Sequence, residues 1–111
     1  EHYAGAFPVW LSPIQVAILP VSDKFNKYAR EIVAVLKSAG IRVEIDEANE
    51  SLGKKIRNAE KSKAPYMLIV GEKEKADGTV AVRERGKGDT GALAVEKFKE
   101  KILVEIASRK G

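Results

Sequence analysis

The 111-residue sequence contains no cysteine and a single histidine, His2. Without cysteine the chain cannot form disulfides or thiolate metal sites, and this composition fits a reducing compartment. One histidine near the chain end cannot build a Ser/His/Asp triad or a histidine metal cluster. The acidic residues alternate with lysines, so no pair stands out as a general acid and base. We therefore expect no catalytic residue and no metal site in this chain.

Long apolar runs are also missing. No stretch approaches the roughly 20 residues that a membrane-spanning helix needs, and the N-terminal residues lack the profile of a signal peptide. These two absences predict a cytoplasmic chain without a membrane partner. The sequence has no G-x-x-x-x-G-K-[ST] phosphate loop either. Gly86–Gly91 matches G-x-G-x-x-G, but only one helix follows it, so we interpret it as a glycine loop carrying Lys87.

What is present predicts one folded domain. Apolar residues make up 44% of the chain and charged residues 32%, which is enough for a single core under a strongly charged surface. Lys and Arg number 20 against 16 Asp and Glu, giving a net charge of +4. This excess is modest. Binding to a nucleic acid would therefore depend on local clusters of cations.

Hydrophobic periodicity predicts a series of strands and helices. Continuous or alternating apolar residues predict strands at 15–19, 41–45, 66–70, 79–83 and 92–95. Helical spacing predicts helices at 25–39, from about 50 to 62, and 95–106. We predict that 41–45 is an edge strand, that 66–70 is a buried central strand, that Asp77-Gly78 turns a hairpin and that 87–90 is a loop. The expected fold class is α/β, with a mixed sheet covered by helices on both faces.

The stretch Asn49–Arg57 combines a strand exit with a cation-rich helix start. Its helix shows a narrow apolar stripe of Leu52, Ile56 and Ala59, which we expect to pack, together with Gly53, against the sheet. Four cations surround the stripe: Lys54, Lys55, Arg57 and Lys61. A helix N-terminus crowded with cations suits a polyanion, whereas a charged helix face is often simply solvated. The residues alone leave both interpretations open.

Several blocks of the sequence resemble threonyl-tRNA synthetases, which belong to the class II aminoacyl-tRNA synthetases. Glu1–Val16 is similar to the junction between the catalytic core and the C-terminal domain of those enzymes. The anticodon-binding domain is matched by five further blocks: Ala39–Val43, Asn49-Glu50, Gly53–Arg57, Pro65–Glu74 and Val80–Arg83. Val9 and Ser12 differ from the residues we would expect in the junction. The resemblance implies a mixed five-stranded sheet flanked by three helices, with 1–13 as a linker from a missing catalytic domain and 14–111 as the anticodon-binding domain.

The resemblance also implies a function. Such a domain binds the anticodon stem-loop of threonine tRNA, chiefly its central guanine and final uracil, for a parent threonine–tRNA ligase. ATP, magnesium and zinc would belong to the missing catalytic domain, and the parent would be a homodimer. The implied base-reading positions are Asn49, Glu74, Arg83 and Arg57. Lys54, Lys55, Lys73, Arg85 and Lys87 are assigned to the RNA backbone on their charge and position.

Base recognition by these residues has a physical rationale. A guanine splayed out of an RNA loop presents two donors that a carboxylate can accept and two acceptors that an arginine can bind. We expect Glu74, at the end of the central strand, and Arg83, on the neighbouring strand, to converge on one base. The alternative is a synthetase-like accessory or protein-interaction module on the same fold. The presence of Asn49, Arg57, Glu74 and Arg83 favours RNA recognition.

Overall fold

The computed structural model describes residues 14–48, 50–62, 64–84 and 88–108, so the predicted linker at 1–13 lies outside the described residues. The strands are β1 (Val16–Pro20), β2 (Val43–Ile45), β3 (Tyr66–Val70), β4 (Thr79–Glu84) and β5 (Gly88–Ala94). The helices are α1 (Asn26–Ser38), preceded by one 3₁₀ turn (Asp23–Phe25), then α2 (Leu52–Lys61), α3 (Glu72–Asp77) and α4 (Val95–Ser108). None of the helices within these ranges is long and apolar enough to cross a membrane.

The strands form one five-stranded mixed sheet in the order β2-β1-β3-β4-β5. Strands β1, β2 and β3 are parallel, and β4 and β5 add antiparallel pairs beyond β3. This arrangement follows from the connections, because helices α1 and α2 carry the chain back between parallel strands. The α/β class, the mixed five-stranded sheet, the edge position of β2 and the central position of β3 confirm the predictions.

The larger core lies on the sheet face that α1 and α4 cover. Side chains at alternate strand positions, including Ile18, Leu68 and Val82, are fully buried there. Leu36 of α1 and Phe98 of α4 pack against them with no exposed surface. Strand side chains that alternate with a period of two therefore pack, on this face, against helix side chains that recur about every three and a half residues.

A smaller core lies on the opposite face under α2. It is built from Ala17 and Leu19 of β1 and Met67 of β3, on which Ala59 of α2 packs. Leu52 and Ile56 are partly buried at its border, as the predicted apolar stripe requires. Helices thus cover both faces, but α2 packs against β1 and leaves Ala92 and Ala94 of β5 exposed. Gly53 is also exposed, with no atom within 4 Å of the position where a side chain would begin, so it does not pack against the sheet.

Two local predictions were wrong in part. Strands β3 and β4 pair antiparallel and Asp77-Gly78 turns the chain as predicted, but their connection also contains α3, a fourth helix where three were implied. This short helix ends at Gly78 in the left-handed conformation (φ 70°). The predicted loop at 87–90 belongs in part to β5, which begins at Gly88. Gly88 and Gly91 have φ values of 75° and 101°. Glycine adopts this region without strain, so a strand can continue through residues that are typical of a loop.

Candidate nucleic-acid interface

The carboxyl ends of the three parallel strands form one edge of the sheet, and Lys54, Arg57 and Glu74 follow the ends of β2 and β3 in the chain. Pro20, Ile45 and Val70 are the last residues of β1, β2 and β3. The first turns of α1, α2 and α3 lie at this edge because each helix follows a parallel strand. In open α/β sheets, ligands bind in the crevice outside the carboxyl ends of the strands. We refer to this region as the carboxyl edge.

Helix α2 presents only part of its predicted cationic set to solvent. Arg57 is exposed, and Lys54 is exposed but paired with Glu50 at 3.0 Å. The helix begins after Ser51, whose hydroxyl accepts a hydrogen bond from the backbone N–H of Lys54 at 3.3 Å. This N-cap satisfies one of the free N–H groups of the first turn. Asn49, predicted to contact a base, lies outside the described residues.

Lys55 differs from its expected role at the RNA backbone. Its side chain is only 2% exposed, and its Nζ donates a hydrogen bond to the carbonyl oxygen of Pro20 at 2.9 Å. Leu52, Lys55, Ile56 and Ala59 follow the i, i+3, i+4, i+7 spacing of one helix face, which places the lysine inside. This spacing is visible in the sequence and could have identified Lys55 as an interior residue. With its ammonium bound to the Pro20 carbonyl, Lys55 is not the exposed cation that the predicted phosphate contact assumed.

The loop between β2 and α2 is fixed by hydrogen bonds on its described residues. Arg30 of α1 binds the carboxylate of Glu47 through two bonds of 2.6 and 2.8 Å. These bonds hold the pKa of Glu47 below its ordinary value. Asp46 Oδ1 accepts from the backbone N–H of Ala48 at 3.0 Å, and the N–H of Glu50 donates to the Ala48 carbonyl at 2.9 Å. These hydrogen bonds order the described residues on either side of residue 49.

Glu74 lies in α3 and not at the end of the central strand, because the helix begins directly after Gly71. Its Oε1 accepts the backbone N–H of Gly71 at 2.8 Å, which closes the first turn of the helix. A side chain at Gly71 would meet Glu74 Oε1 and Val21 Cγ2, each at 3.2 Å. The half-buried carboxylate also acts on Tyr28 of α1: burial raises the pKa of Tyr28, and the negative charges of Glu74 and Glu31 add to the effect.

Arg83 lies on the sheet face that also carries Met67, its partner in β3. The flanking Val82 is buried on the other face, so alternation directs Arg83 toward the side of α2. The pairing of β4 with β5 shifts register between Val82 and Arg83, a β-bulge that leaves Thr90 as the extra residue. The Thr90 hydroxyl donates to the Val82 carbonyl at 3.1 Å. Bulges of this kind redirect neighbouring side chains and occur often beside functional sites.

The Nε of Arg83 is buried and has no hydrogen-bond partner in the described part of the chain. Buried donors without a partner are rare in folded proteins, since each costs about 1–3 kcal/mol. Among the described residues this N–H thus has no acceptor, and a ligand that reached it could supply one. Sequence patterns could place Arg83 on a strand but could not show that its Nε has no hydrogen-bond partner among the described residues.

The structure does not bring Glu74 and Arg83 into contact. Arg83 pairs with Met67, three residues before Val70, which places its backbone roughly 10 Å from the carboxyl end of β3. Glu74 follows that end after Gly71, and the described residues include no hydrogen bond between the two side chains. Convergence on one base therefore stays a prediction. Lys73 is exposed in α3 near Glu74, whereas Arg85 and Lys87 lie outside the described residues.

The family comparison accounts for this arrangement. Residues 15–105 match the family model described as "Anticodon binding domain". The match extends over most of the chain and includes every strand and nearly all of the helices. The chain belongs to the anticodon-binding domain family.

Individual relatives of this anticodon-binding domain are threonine–tRNA ligases. It is 53% identical over 109 residues to the threonine–tRNA ligase of Desulforamulus reducens, with 98% of this chain and 17% of the relative covered. It is 58% identical over 109 residues to the enzyme of Clostridioides difficile, with the same coverage. The chain thus spans about 17% of the length of these curated relatives.

A solved structure shares the fold. The crystal structure of the RNA binding domain of threonyl-tRNA synthetase from Cryptosporidium parvum superposes with a TM-score of 0.88 at 31% sequence identity. The superposition covers 93% of this chain and 26% of that chain. The similarity therefore includes the described sheet and its helices as a whole.

Proposed function

We propose that this anticodon-binding domain is part of a threonine–tRNA ligase and binds the anticodon loop of threonine tRNA. The relatives named above support the choice of enzyme, and their greater length leaves room for the catalytic part. That part would activate threonine with ATP and would also hold the magnesium and zinc. We further propose that residues 1–13 form the linker to it, that the domain extends over 14–111, and that the parent is a cytoplasmic homodimer.

The observation that carries the proposal is the unpartnered Nε of Arg83 beside the bulge in β5. The donor lies on the sheet face that the helices leave partly uncovered. A base in a single-stranded loop offers acceptors on its edge, and arginine binds two acceptors of guanine at once. A protein partner could also supply an acceptor, so the choice between RNA and the accessory or protein-interaction module rests on the threonine–tRNA ligases and the solved RNA binding domain named above. RNA recognition is therefore favoured over the accessory-module alternative.

Glu74, Arg57 and Asn49 complete the proposed base-reading set. The Glu74 carboxylate uses Oε1 to bind Gly71, and Oε2 forms no hydrogen bond with any residue that the structure describes. That oxygen can accept a donor of a base. Arg57 is exposed on the second turn of α2, and Lys54, Lys73, Arg85 and Lys87 would contact the RNA backbone. Lys55 is not included because it is buried.

The test compares Arg83→Ala with the unaltered chain in binding to the anticodon stem-loop of threonine tRNA and to a stem-loop with a changed central base. We expect Arg83→Ala to reduce the discrimination between the two by ~1–3 kcal/mol, the range of a good bidentate contact. Arg42→Ala is the control, since Arg42 is an exposed arginine next to the start of β2, which β1 and β3 separate from β4. Base preference that is unchanged in Arg83→Ala would exclude Arg83 as a base reader.

A further inference from the structure

Lys55 is a charged residue in the interior with a single described hydrogen-bond partner, the Pro20 carbonyl at 2.9 Å. Removing an ammonium group from water is costly, and a buried ion pair or charge is weak evidence for stability. The negative charge of Glu47 acts on the ammonium and offsets part of this cost. An apolar side chain of similar length would pack beside Leu52 and Ile56 without any such cost. The charge at this position therefore calls for a role other than general stabilisation.

The geometry of the strands shows which hydrogen bond the Lys55 ammonium replaces. Strand β2 ends at Ile45 opposite Ile18, and the N–H of Asp46 donates the last ladder bond to the Ile18 carbonyl at 3.0 Å. Alternate carbonyls of a strand point the same way. The next carbonyl of β1 on this side belongs to Pro20, but β2 has already turned away toward α2. Lys55 donates the hydrogen bond that a longer β2 would have supplied.

The hydrogen bond from Lys55 to Pro20 lies at a crevice between two loops. The chain leaves β1 toward α1 on one face of the sheet and leaves β2 toward α2 on the other, so the two loops diverge at the carboxyl edge. A cleft of about 310 Å³ opens there. Its lining comes from both loops and from Lys55: Val21, Ser22, Asp23, Glu47, Ala48, Glu50 and Lys55. The ammonium is thus the link between the start of α2 and the end of β1.

We propose that Lys55 is a positioning residue for RNA recognition. This inference rests on the proposed function. Its hydrogen bond to Pro20 fixes the first turns of α2 against β1, and this sets where Arg57 stands relative to the RNA. A hydrogen bond to one carbonyl defines the position of the helix more sharply than apolar packing, which tolerates sliding. Lys55 itself does not touch the RNA.

The first test is Lys55→Met, which removes the ammonium and keeps the apolar stem. We expect this variant to fold, to bind the anticodon stem-loop about fivefold or more weakly, and to exchange its amide hydrogens faster at 50–58. Lys61→Met is the matched control, because Lys61 is exposed in the last turn of the same helix. It should leave binding and exchange at 50–58 unchanged.

A chemical rescue uses the absence of cysteine in the chain. Lys55→Cys has one thiol, which 2-bromoethylamine alkylates with loss of bromide to give a lysine analogue carrying an ammonium. Alkylation with iodoacetamide, with loss of iodide, gives a neutral side chain. We expect the first product to recover binding and the second not to. Equal binding by the two alkylated products would overturn the proposal. It would also be overturned if neither the iodoacetamide product nor Lys55→Met folds.

A double-mutant cycle with Arg57→Ala separates positioning from direct contact. If Lys55 acts through α2, its substitution should cost little once Arg57 is absent, so the two effects are not additive. In that background the salt dependence should also stay constant, whereas loss of a phosphate contact by Lys55 would lower the slope by about 0.7. Additive effects or a lower slope overturn the positioning role. If the unaltered chain does not bind the stem-loop, the proposed function itself fails.

Discussion

At the scale of single residues, Glu74 combines a structural bond with a proposed contact to RNA. One carboxylate oxygen closes the first turn of α3 by accepting the N–H of Gly71. This bond holds the carboxylate in one orientation, so recognition of a base does not have to order a free side chain. The absence of a side chain at Gly71 is what permits the close approach. Preorganisation of Glu74 therefore depends on its neighbour.

Gly71→Ala tests this dependence. A methyl group would stand 3.2 Å from both Glu74 Oε1 and Val21 Cγ2, so the carboxylate must shift. The backbone itself tolerates alanine, since φ is −137° at this position. We expect a loss of about 1 kcal/mol in the free energy of unfolding and weaker discrimination at the base that Glu74 contacts. Urea denaturation and stem-loop binding measure the two effects.

Gly53→Ala is the control for that substitution. No atom lies within 4 Å of the added methyl group, and the residue is inside α2. Replacing glycine by alanine in a helix should stabilise the protein by about 0.5–1 kcal/mol and leave base discrimination unchanged. Equal behaviour of the two alanine variants would mean that the contact between Gly71 and Glu74 has no effect on recognition.

At the scale of helices and strands, hydrophobic periodicity predicted which apolar faces are buried. It did not predict which hydrogen bonds the polar side chains form. The apolar stripe of α2 was visible in the sequence, yet Lys55 on the same face was interpreted as a surface cation. Helix α3 was missed because its six residues carry no apolar period. The interpretation of 87–90 as a loop followed the usual preference of glycine for turns, whereas the bulge opposite Arg83 depends on pairing with β4. Such features arise from tertiary contacts, which short sequence windows do not contain.

Helix α4 is attached to the sheet by Tyr66, the first residue of β3. The Tyr66 hydroxyl donates to the Glu105 carboxylate, and its ring packs edge-on against Phe98 with centroids 5.4 Å apart. Burial, followed by the hydrogen bond to Glu105 and nearby negative charge, raises the pKa of Tyr66 well above its ordinary value. The phenol therefore stays protonated in the folded protein when an unfolded tyrosine would ionise.

Tyr66→Phe should destabilise the domain by about 1–3 kcal/mol near pH 8, because the ring contact survives while a bond to a charged group is lost. Above pH ~10 the unfolded tyrosine releases its proton and the folded one does not, so the stability of the unaltered protein falls as pH rises. The difference between the two proteins should shrink from pH ~9 to pH ~11. Urea denaturation across this range measures it. A constant difference would mean that Tyr66 has an ordinary pKa in the fold.

At the scale of the whole molecule, the net charge of +4 is small for a protein that binds a polyanion. Some of the cations at the carboxyl edge are already neutralised, since Arg30 is paired with Glu47 and Lys54 with Glu50. Long-range attraction should therefore add little, and the affinity should come from a few local contacts. Two classes of contact are then separable: those that read a base, and those that only neutralise phosphate.

Lys87→Ala tests the second class. Loss of one phosphate contact should weaken binding to cognate and altered stem-loops by the same factor, and should reduce the slope of log affinity against log salt by about 0.7. Lys37→Ala is the control, since Lys37 is exposed in the last turn of α1, which covers the sheet face opposite to that of Arg83. It should change neither quantity. A change of base preference in Lys87→Ala would instead show that this lysine reads a base. Lys87 would then belong with Arg83 and not with the contacts to phosphate.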